Sequence, residues 1–329
     1  MLTGTLQNAF DSQTDMENQR YILDCDPGHD DAVALLFAAK FLSLVGITTV
    51  FGNSSVDNTT RNALAIVESA GLTIPVARGS SAPITGEIHS GESVHGKSGL
   101  DGASLPTPTI PPISSTASDF IIDSARKLEN LSIIAIGPLT NIATAINDAP
   151  DIKDRIREIS IMGGSTTFGN ATPAAEFNIY ADPEAASIVF ASGIPVRMAG
   201  LNVTTTFGIN RPQVKMLQNA DSQLAKEIGG ALNYYLQRQT KIYQREFAPI
   251  HDVCAVIPYT HRDLIRYTDM HVDVECSGTL TRGQTVCDQR GLFAGEGLTT
   301  PQPVNTAVAI DADGKAIVQH VMTSLLSYP

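Results

Sequence analysis

Long apolar runs are missing from this 329-residue chain; none reaches the length of a membrane span, which argues against a transmembrane protein. Basic residues are scarce, with 22 Lys and Arg against 34 Asp and Glu and a net charge of −12. A nucleic-acid or anionic-membrane binder needs the opposite balance. Cysteine is sparse and scattered: Cys25, Cys254, Cys276 and Cys287 form no CxxC pair. That speaks against a disulfide framework and for reduced thiols in a cytoplasmic protein. The first twenty residues are polar and lack the apolar core of a secretory signal, so residues 1–20 are expected to be a flexible extension. Charged residues are only 17%, whereas hydrophobic residues are 43%, enough for a large core and too many for a disordered chain. No internal repeat or linker divides the remainder, so 21–329 is expected to form one domain.

Short, β-rich apolar runs alternate with helical patterns. Strands are expected at 21–26, 44–50, 74–77, 131–136, 158–162 and 195–199, and helices at 30–40, 56–70, 115–127, 138–148 and 182–191. Pro138 and Pro183 suit first helical turns, where a missing N–H costs nothing. Strands that are apolar throughout, with helices between them, imply a parallel sheet covered on both faces. Residues 79–112 are rich in Gly, Pro and Ser and too long for an ordinary connection, so a functional loop or lid is expected there. A long helix through 221–245, a shorter one from His251, a few strands from Thr268 and a last helix near 316–326 follow. This tail is expected to be part of the same α/β unit, a helical and small-β portion forming a small lobe over the sheet.

The most informative segment is Asp24-Cys25-Asp26-Pro27-Gly28-His29-Asp30-Asp31, where a buried strand gives way to a helix. Four carboxylates there repel one another unless a cation or strong hydrogen bonds offset them. Helix capping explains Asp30 or Asp31. It does not explain Asp26 on the strand end, with a Pro-Gly turn folding it toward the helix. A hard divalent cation held by oxygen ligands accounts for more of the pattern. An EF-hand loop is ruled out, because Gly28 stands where that loop needs an oxygen ligand and His29 where it needs glycine.

Further polar groups gather at the expected carboxyl ends of the strands: Asn53, the 136–141 turn with Asn141, Met162-Gly163-Gly164 and Asn202. Ligands of open parallel sheets bind outside those ends. The loop after Met162 adds Asn170, Glu176 and Asn178, and His251-Asp252 opens a later helix. Each residue alone has a plainer explanation, as a turn residue, a solvated carboxylate or a surface histidine, but their joint placement points to one site. Residues 91–98 (GESVHGKS) match the phosphate-binding expression G-x-x-x-x-G-K-[ST], yet no buried strand precedes them and no helix follows, so the match is accidental.

The segment DCDPGHDDAVAL resembles the signature of the nucleoside hydrolases of the inosine-uridine type. The resemblance continues through TTVFGN (48–53), VHGKSGLDG (94–102), IGPLTNIA (136–143), the 161–186 segment, HDVCAV (251–256) and TRGQTVCD (281–288), in family order. It implies an α/β fold with a mainly parallel, helix-covered open sheet and a Ca²⁺ at the strand ends. Asp26, Asp31, Asp252 and the main-chain carbonyl of Ile136 would then hold the metal, with Asp24 in support, and Asp30 would be the general base. Asn53, Met162, Asn170, Glu176, Asn178 and Asp252 would hold the ribose, and His251 would serve the leaving base as general acid with an ordinary imidazole pKa. Base contacts are expected from His95, Phe177, Gln239 and Tyr243, although Tyr243 on a long helix has core packing as its plainer role.

The implied activity is hydrolysis of ribonucleosides to ribose and free base in salvage, by a homodimer or homotetramer. The purine-preferring branch stacks tryptophan on the base, and this chain has no tryptophan. With His251 present, it looks more like the inosine-uridine or pyrimidine-preferring branch. The preferred base stays open, as does closure of 79–112 on substrate. Two other readings compete. Aspartate-nucleophile phosphatases share an early D-x-D and use Mg²⁺, but need Thr or Val where Gly28 stands. A non-catalytic ribonucleoside- or metal-binding protein would not need the Asp30, Asn178 and His251 set.

Overall fold

The computed structural model describes residues 18–293 and 302–329. Its centre is an eight-stranded sheet in the order β3-β2-β1-β4-β5-β6-β12-β9. The members are β1 (Arg20–Cys25), β2 (Leu44–Thr49), β3 (Val76–Arg78), β4 (Leu131–Ala135), β5 (Ile156–Met162), β6 (Val196–Ala199), β9 (Ile265–Met270) and β12 (Thr306–Ala312). Every pairing is parallel except that of β12 with β9. Two small antiparallel pairs complete the β structure: β7 (Gly208–Asn210) with β8 (Phe247–Pro249), and β10 (Val272–Val274) with β11 (Thr285–Cys287).

Helices cover both faces, as uniformly apolar strands require. One face is packed by α1 (His29–Phe41), α2 (Val56–Ser69), the long α10 (Gln223–Tyr243), the short α11 (Val253–Val256) and the terminal α13 (Gly314–Leu326). The other is packed by α4 (Ala117–Lys127), α5 (Thr140–Asp148) and α7 (Pro183–Phe190). The remaining helices are α3 (Glu92–His95), α6 (Phe177–Ala181), α8 (Leu201–Thr204), α9 (Arg211–Gln218) and α12 (Arg290–Phe293). Residues 29–38 of α1 are buried without interruption, which explains why that helix is apolar all round and lies under α10 and α13.

The expected alternation holds through the first 200 residues, and the tail differs from expectation. The tail is part of the α/β unit but does not form a lobe over the sheet: β12 enters it beside β6 and β9 closes the edge antiparallel, while the β10–β11 hairpin stands apart among the described residues of the tail. The expected extension lies outside the described residues up to residue 17. Its last members belong to the fold: Arg20 opens β1, and buried Gln19 donates to Ser132 Oγ at 2.8 Å. No described helix is long and apolar enough to cross a membrane.

Candidate active site

From β1 the chain runs outward to β2 and β3, and from β4 it runs the other way through β5 and β6. The carboxyl ends of β1 and β4 therefore flank the point where strand order reverses, the place where open α/β sheets bind ligands. A cavity of about 520 Å³ opens there, lined among others by Asp30, Asn53, His95, Ile136, Met162, Asn170, Glu176, Phe177, Asn178, Gln239, Tyr243, His251 and Asp252. Asp26 and Asp31 are fully buried just beneath. The structure thus gathers the expected residues, drawn from segments as distant in sequence as Asp26 and Asp252, around one cavity.

At its floor, carboxylate oxygens of Asp30, Asp31 and Asp252 lie within 4.8 Å of one another. Asp31 accepts the N–H groups of Asp26 (3.1 Å) and Gly28 (3.0 Å), which folds the Pro-Gly turn back on the helix start. Asn53 braces the turn, donating its side-chain amide to Asp31 Oδ2 (2.8 Å) and the Asp26 carbonyl (3.1 Å) and its backbone N–H to Asp26 Oδ2 (2.6 Å). A Cβ at Gly52 would sit 2.1 Å from Asp26 Oδ2, so only glycine allows this approach. Below, Asp24 accepts from Thr48 and from Asn141 (2.8 Å), and burial pushes its carboxyl up to about 7.

Burial, and after it the charge of Asp31, raises the carboxyls of Asp26 and Asp30 well above the usual range; burial and the charges of Asp30, Asp31 and Asp26 do the same to Asp252. Asp26 Oδ1 is buried with no hydrogen-bond partner. An all-oxygen donor set of crowded carboxylates with an orphaned oxygen fits a hard divalent cation, which supplies the missing positive charge. The expected carbonyl ligand, Ile136, faces the same cavity. Helix capping is also real here, since Asp31 holds the turn, so the two explanations of that aspartate coexist.

The loop after β5 supplies one wall. Glu176 is 3% exposed; its Oε2 accepts the N–H groups of Gly164 (3.0 Å) and Ile179 (3.1 Å), and burial raises its carboxyl to about 7. Asn178 donates to the Ile136 and Met162 carbonyls, at 3.1 Å each, tying the ends of β4 and β5 together. Asn170 Oδ1 accepts from Phe177 N–H at 2.9 Å and shapes the loop between them.

His251 corrects one expectation. Its imidazole does not keep an ordinary pKa: burial, with the Arg245 guanidinium nearby, pushes it down to about 3, so the ring is neutral near pH 7. Nδ1 lies 2.8 Å from Thr204 Oγ1. When that hydroxyl donates, the ring proton sits on Nε2, and a neutral imidazole still offers an N–H. His95, on α3 within the 79–112 loop, is also held below its usual range by burial; it stacks on Tyr235 and has its Nδ1 3.0 Å from His29 Nδ1. Tyr243 is 40% exposed at the cavity rim rather than packed in the core, beneath the Arg245 guanidinium. Gln239 is buried and accepts from Arg245 at 3.3 Å.

Some strand-end residues only brace the scaffold. Asn141 bonds Asp24, the Thr49 carbonyl and Ser80 N–H, and Asn202 ties Thr166 to Ala309. The 91–98 match forms a four-residue helix and a turn, with no strand before it. Among the features that escaped the sequence reading are Tyr235 and Arg245, which line the cavity, and Thr204, the partner of His251. Tyr235, Gln239 and Tyr243 recur every four residues on α10, so helical period could have found the first. No local signal marks the other two.

Comparison with known proteins agrees with this geometry. Residues 21–319 match the inosine-uridine preferring nucleoside hydrolase family. The pyrimidine-specific ribonucleoside hydrolase RihA of Enterobacter sp. (strain 638) is 38% identical over 312 residues, 93% of this chain and 97% of that protein. A purine-preferring ribonucleoside hydrolase from Gardnerella vaginalis superposes with a TM-score of 0.86 at 31% identity, over 94% of this chain and 99% of the other. The plant nucleoside hydrolase PpNRh1 gives the same TM-score of 0.86 at 29% identity, over 94% of this chain and 99% of its own. The chain belongs to the inosine-uridine preferring nucleoside hydrolase family and is a hydrolase that acts on nucleosides.

Proposed function

We propose that this enzyme uses Ca²⁺ to hydrolyse the N-glycosidic bond of ribonucleosides, pyrimidine ribonucleosides foremost, releasing ribose and free base for salvage. The observation that carries the reading is the crowded, buried carboxylate cluster of Asp30, Asp31 and Asp252 at the floor of a nucleoside-sized cavity. The pyrimidine preference rests on the named specificity of the 38% identical relative and on the absence of tryptophan to stack on a purine.

Asp26, Asp31, Asp252 and the Ile136 carbonyl would hold the ion. Bound Ca²⁺ would offset the negative cluster, acidify a water molecule and fix ribose hydroxyls. Asp30 then takes the proton of the attacking water at a carboxylate oxygen, which main-chain N–H groups, including that of His251, hold in place. Asn170, Glu176 and Asn178 orient the ribose, with Asn53 and Met162 completing its pocket. The same anionic wall stabilises positive charge as it develops on the sugar when the bond to the base breaks. His251 donates a hydrogen bond from its Nε2–H to the departing base, stabilising the negative charge that develops on it without giving up the proton, and His95, Phe177, Gln239 and Tyr243 enclose that base. A homodimer or homotetramer is part of this reading, and light scattering after gel filtration decides it.

Replacing Asp30 tests the chemistry directly. Asp30→Asn is expected to lower kcat by on the order of 10³ or more, the contribution of a positioned general base, while the melting temperature holds or rises because one crowded buried charge is gone. Residual turnover within tenfold of the parent enzyme (about 1.4 kcal/mol of barrier) would remove Asp30 from the role of base.

A further inference from the structure

Residues 281–288 (TRGQTVCD) share the family resemblance, yet none of them lines the cavity. They form the β11 side of the β10–β11 hairpin, and that hairpin grips the ribose-facing loop at both ends. At the first end stands Thr285, 4% exposed. Its hydroxyl accepts the N–H of Ser165 at 2.9 Å and donates to the carbonyl of the same residue at 2.7 Å. One side chain thus satisfies both backbone groups of Ser165, as a neighbouring strand would. Contact extends to Gly164, which has φ +69; a Cβ there would lie 2.7 Å from Thr285 Cγ2. Gln289 adds a hydrogen bond to the Thr166 carbonyl at 3.2 Å.

The other end of the loop runs into α6, whose Tyr180 lines the cavity. Gly283 (φ +82) lies against it so closely that a Cβ would come within 2.9 Å of Tyr180 Cα. Arg282 fastens the hairpin to α7 through a double ion pair with Glu184, both contacts at 2.8 Å. The gripped residues matter because Gly164 N–H is one of the backbone donors that hold the Glu176 carboxylate, with those of Phe177, Asn178 and Ile179.

From this chain of contacts we infer that Thr285 is a positioning residue for ribose recognition: by fixing Gly164 and Ser165 it sets where Glu176 presents its carboxylate to the sugar. The inference rests on the proposed nucleoside hydrolysis. The hydroxyl does the work, because it supplies both bonds to Ser165. A residue of the same shape without it leaves the buried Ser165 N–H unpaired, leaves its C=O with the Cys287 thiol at 3.9 Å, and frees the loop start.

The test compares T285V, which keeps the shape, with T285S, which keeps the hydroxyl, on uridine and cytidine with Ca²⁺ present. T285V is expected to raise KM on the order of tenfold, the effect of about 1.4 kcal/mol of lost binding, with a smaller fall in kcat. The inhibition constant of free D-ribose should rise in parallel and that of the free base stay put. T285S should restore ribose inhibition, which a merely structural role would not do selectively. Hydrogen exchange at residues 163–176 should quicken in T285V and not in T285S, a readout independent of turnover.

Parental kinetics and exchange in T285V overturn the inference. So does an equal loss of ribose and base affinity in both variants with a lowered melting temperature. If T285V does not fold, T285A takes its place under the same criteria. An inactive wild-type enzyme with faster loop exchange in T285V refutes the nucleoside reading, and with it the ribose role, rather than the hairpin's grip.

Discussion

Stripping divalent cations from the protein with a chelator leaves Asp26, Asp30, Asp31 and Asp252 buried beside one another, with the Arg245 guanidinium elsewhere on the cavity wall, over Tyr243. The cost is visible in their neighbours: burial raises Asp24 from 3.8 to about 7 and Glu176 from 4.5 to about 7. At about 1.4 kcal/mol per pH unit, ionising each such carboxyl costs about 3–4 kcal/mol of folding free energy. A carboxyl raised in the folded state stabilises fully below its unfolded pKa, near 4, and that stability is lost as pH rises through about 7. Metal-free protein is therefore progressively destabilised between those limits, and a cation restores most where the carboxylates are charged.

Histidines act in the opposite sense. His29 is held to about 4 and His251 to about 3, so their contribution is present above the unfolded value of 6.5 and lost as pH falls below it. Those terms are common to the loaded and stripped protein and cancel in the difference between them. The quantity to measure is the gap in melting temperature between protein in Ca²⁺ and protein in chelator, across pH 5–8. An ion at about 1,000 times its Kd stabilises by about 4 kcal/mol. At about 2 °C per kcal/mol for a chain of this length, the gap should reach about 8 °C at pH 8. It should shrink to less than half of that at pH 5, where protons compete for the same oxygens. No gap at pH 8, or a gap that does not change with pH, would refute the reasoning.

Two substitutions probe other parts of the account. His251→Ala is expected to lower turnover of uridine and cytidine on the order of 10²–10³, within the range of general acid–base effects, and to affect a nitrophenyl riboside far less, because nitrophenolate leaves without help; equal losses on both remove His251 from the leaving-group role. Gly52→Ala pushes a methyl group against Asp26 Oδ2, at an unrelaxed separation of 2.1 Å. It should lower the melting temperature of the chelated protein by the equivalent of about 1–3 kcal/mol and weaken Ca²⁺ binding measured by calorimetry; unchanged metal affinity would place Asp26 outside the ligand set.

Much of this architecture could be read in advance because its parallel strands are apolar along their whole length, and β1, β2, β4 and β5 lie within a few residues of their expected places. Edge strands carry no such mark. β9 (IRYTDM) is buried only at its two ends, Ile265 and Met270, and pairs antiparallel, so its place in the main sheet depends on β12 and not on its own pattern. The acidic cluster was legible for a different reason: Asp26, Asp30 and Asp31 are close in sequence, and electrostatics alone demands an explanation of them. What brings Asp252 to them is tertiary packing, and so is the burial that lowers the His251 pKa. Thr285 shows the limit most clearly, since its partner Ser165 is 120 residues away and nothing in TRGQTVCD names it.

The central claim is that the buried carboxylates serve ribonucleoside hydrolysis, and reducing-sugar release tests it most directly. Uridine, cytidine, inosine, adenosine, guanosine and 2′-deoxyuridine would be incubated with the enzyme in Ca²⁺ and, in parallel, in chelator. The account predicts ribose release from uridine and cytidine foremost, little sugar from the deoxynucleoside, and loss of activity in chelator that added Ca²⁺ restores. Folded, Ca²⁺-loaded protein that releases no sugar from any ribonucleoside would contradict it.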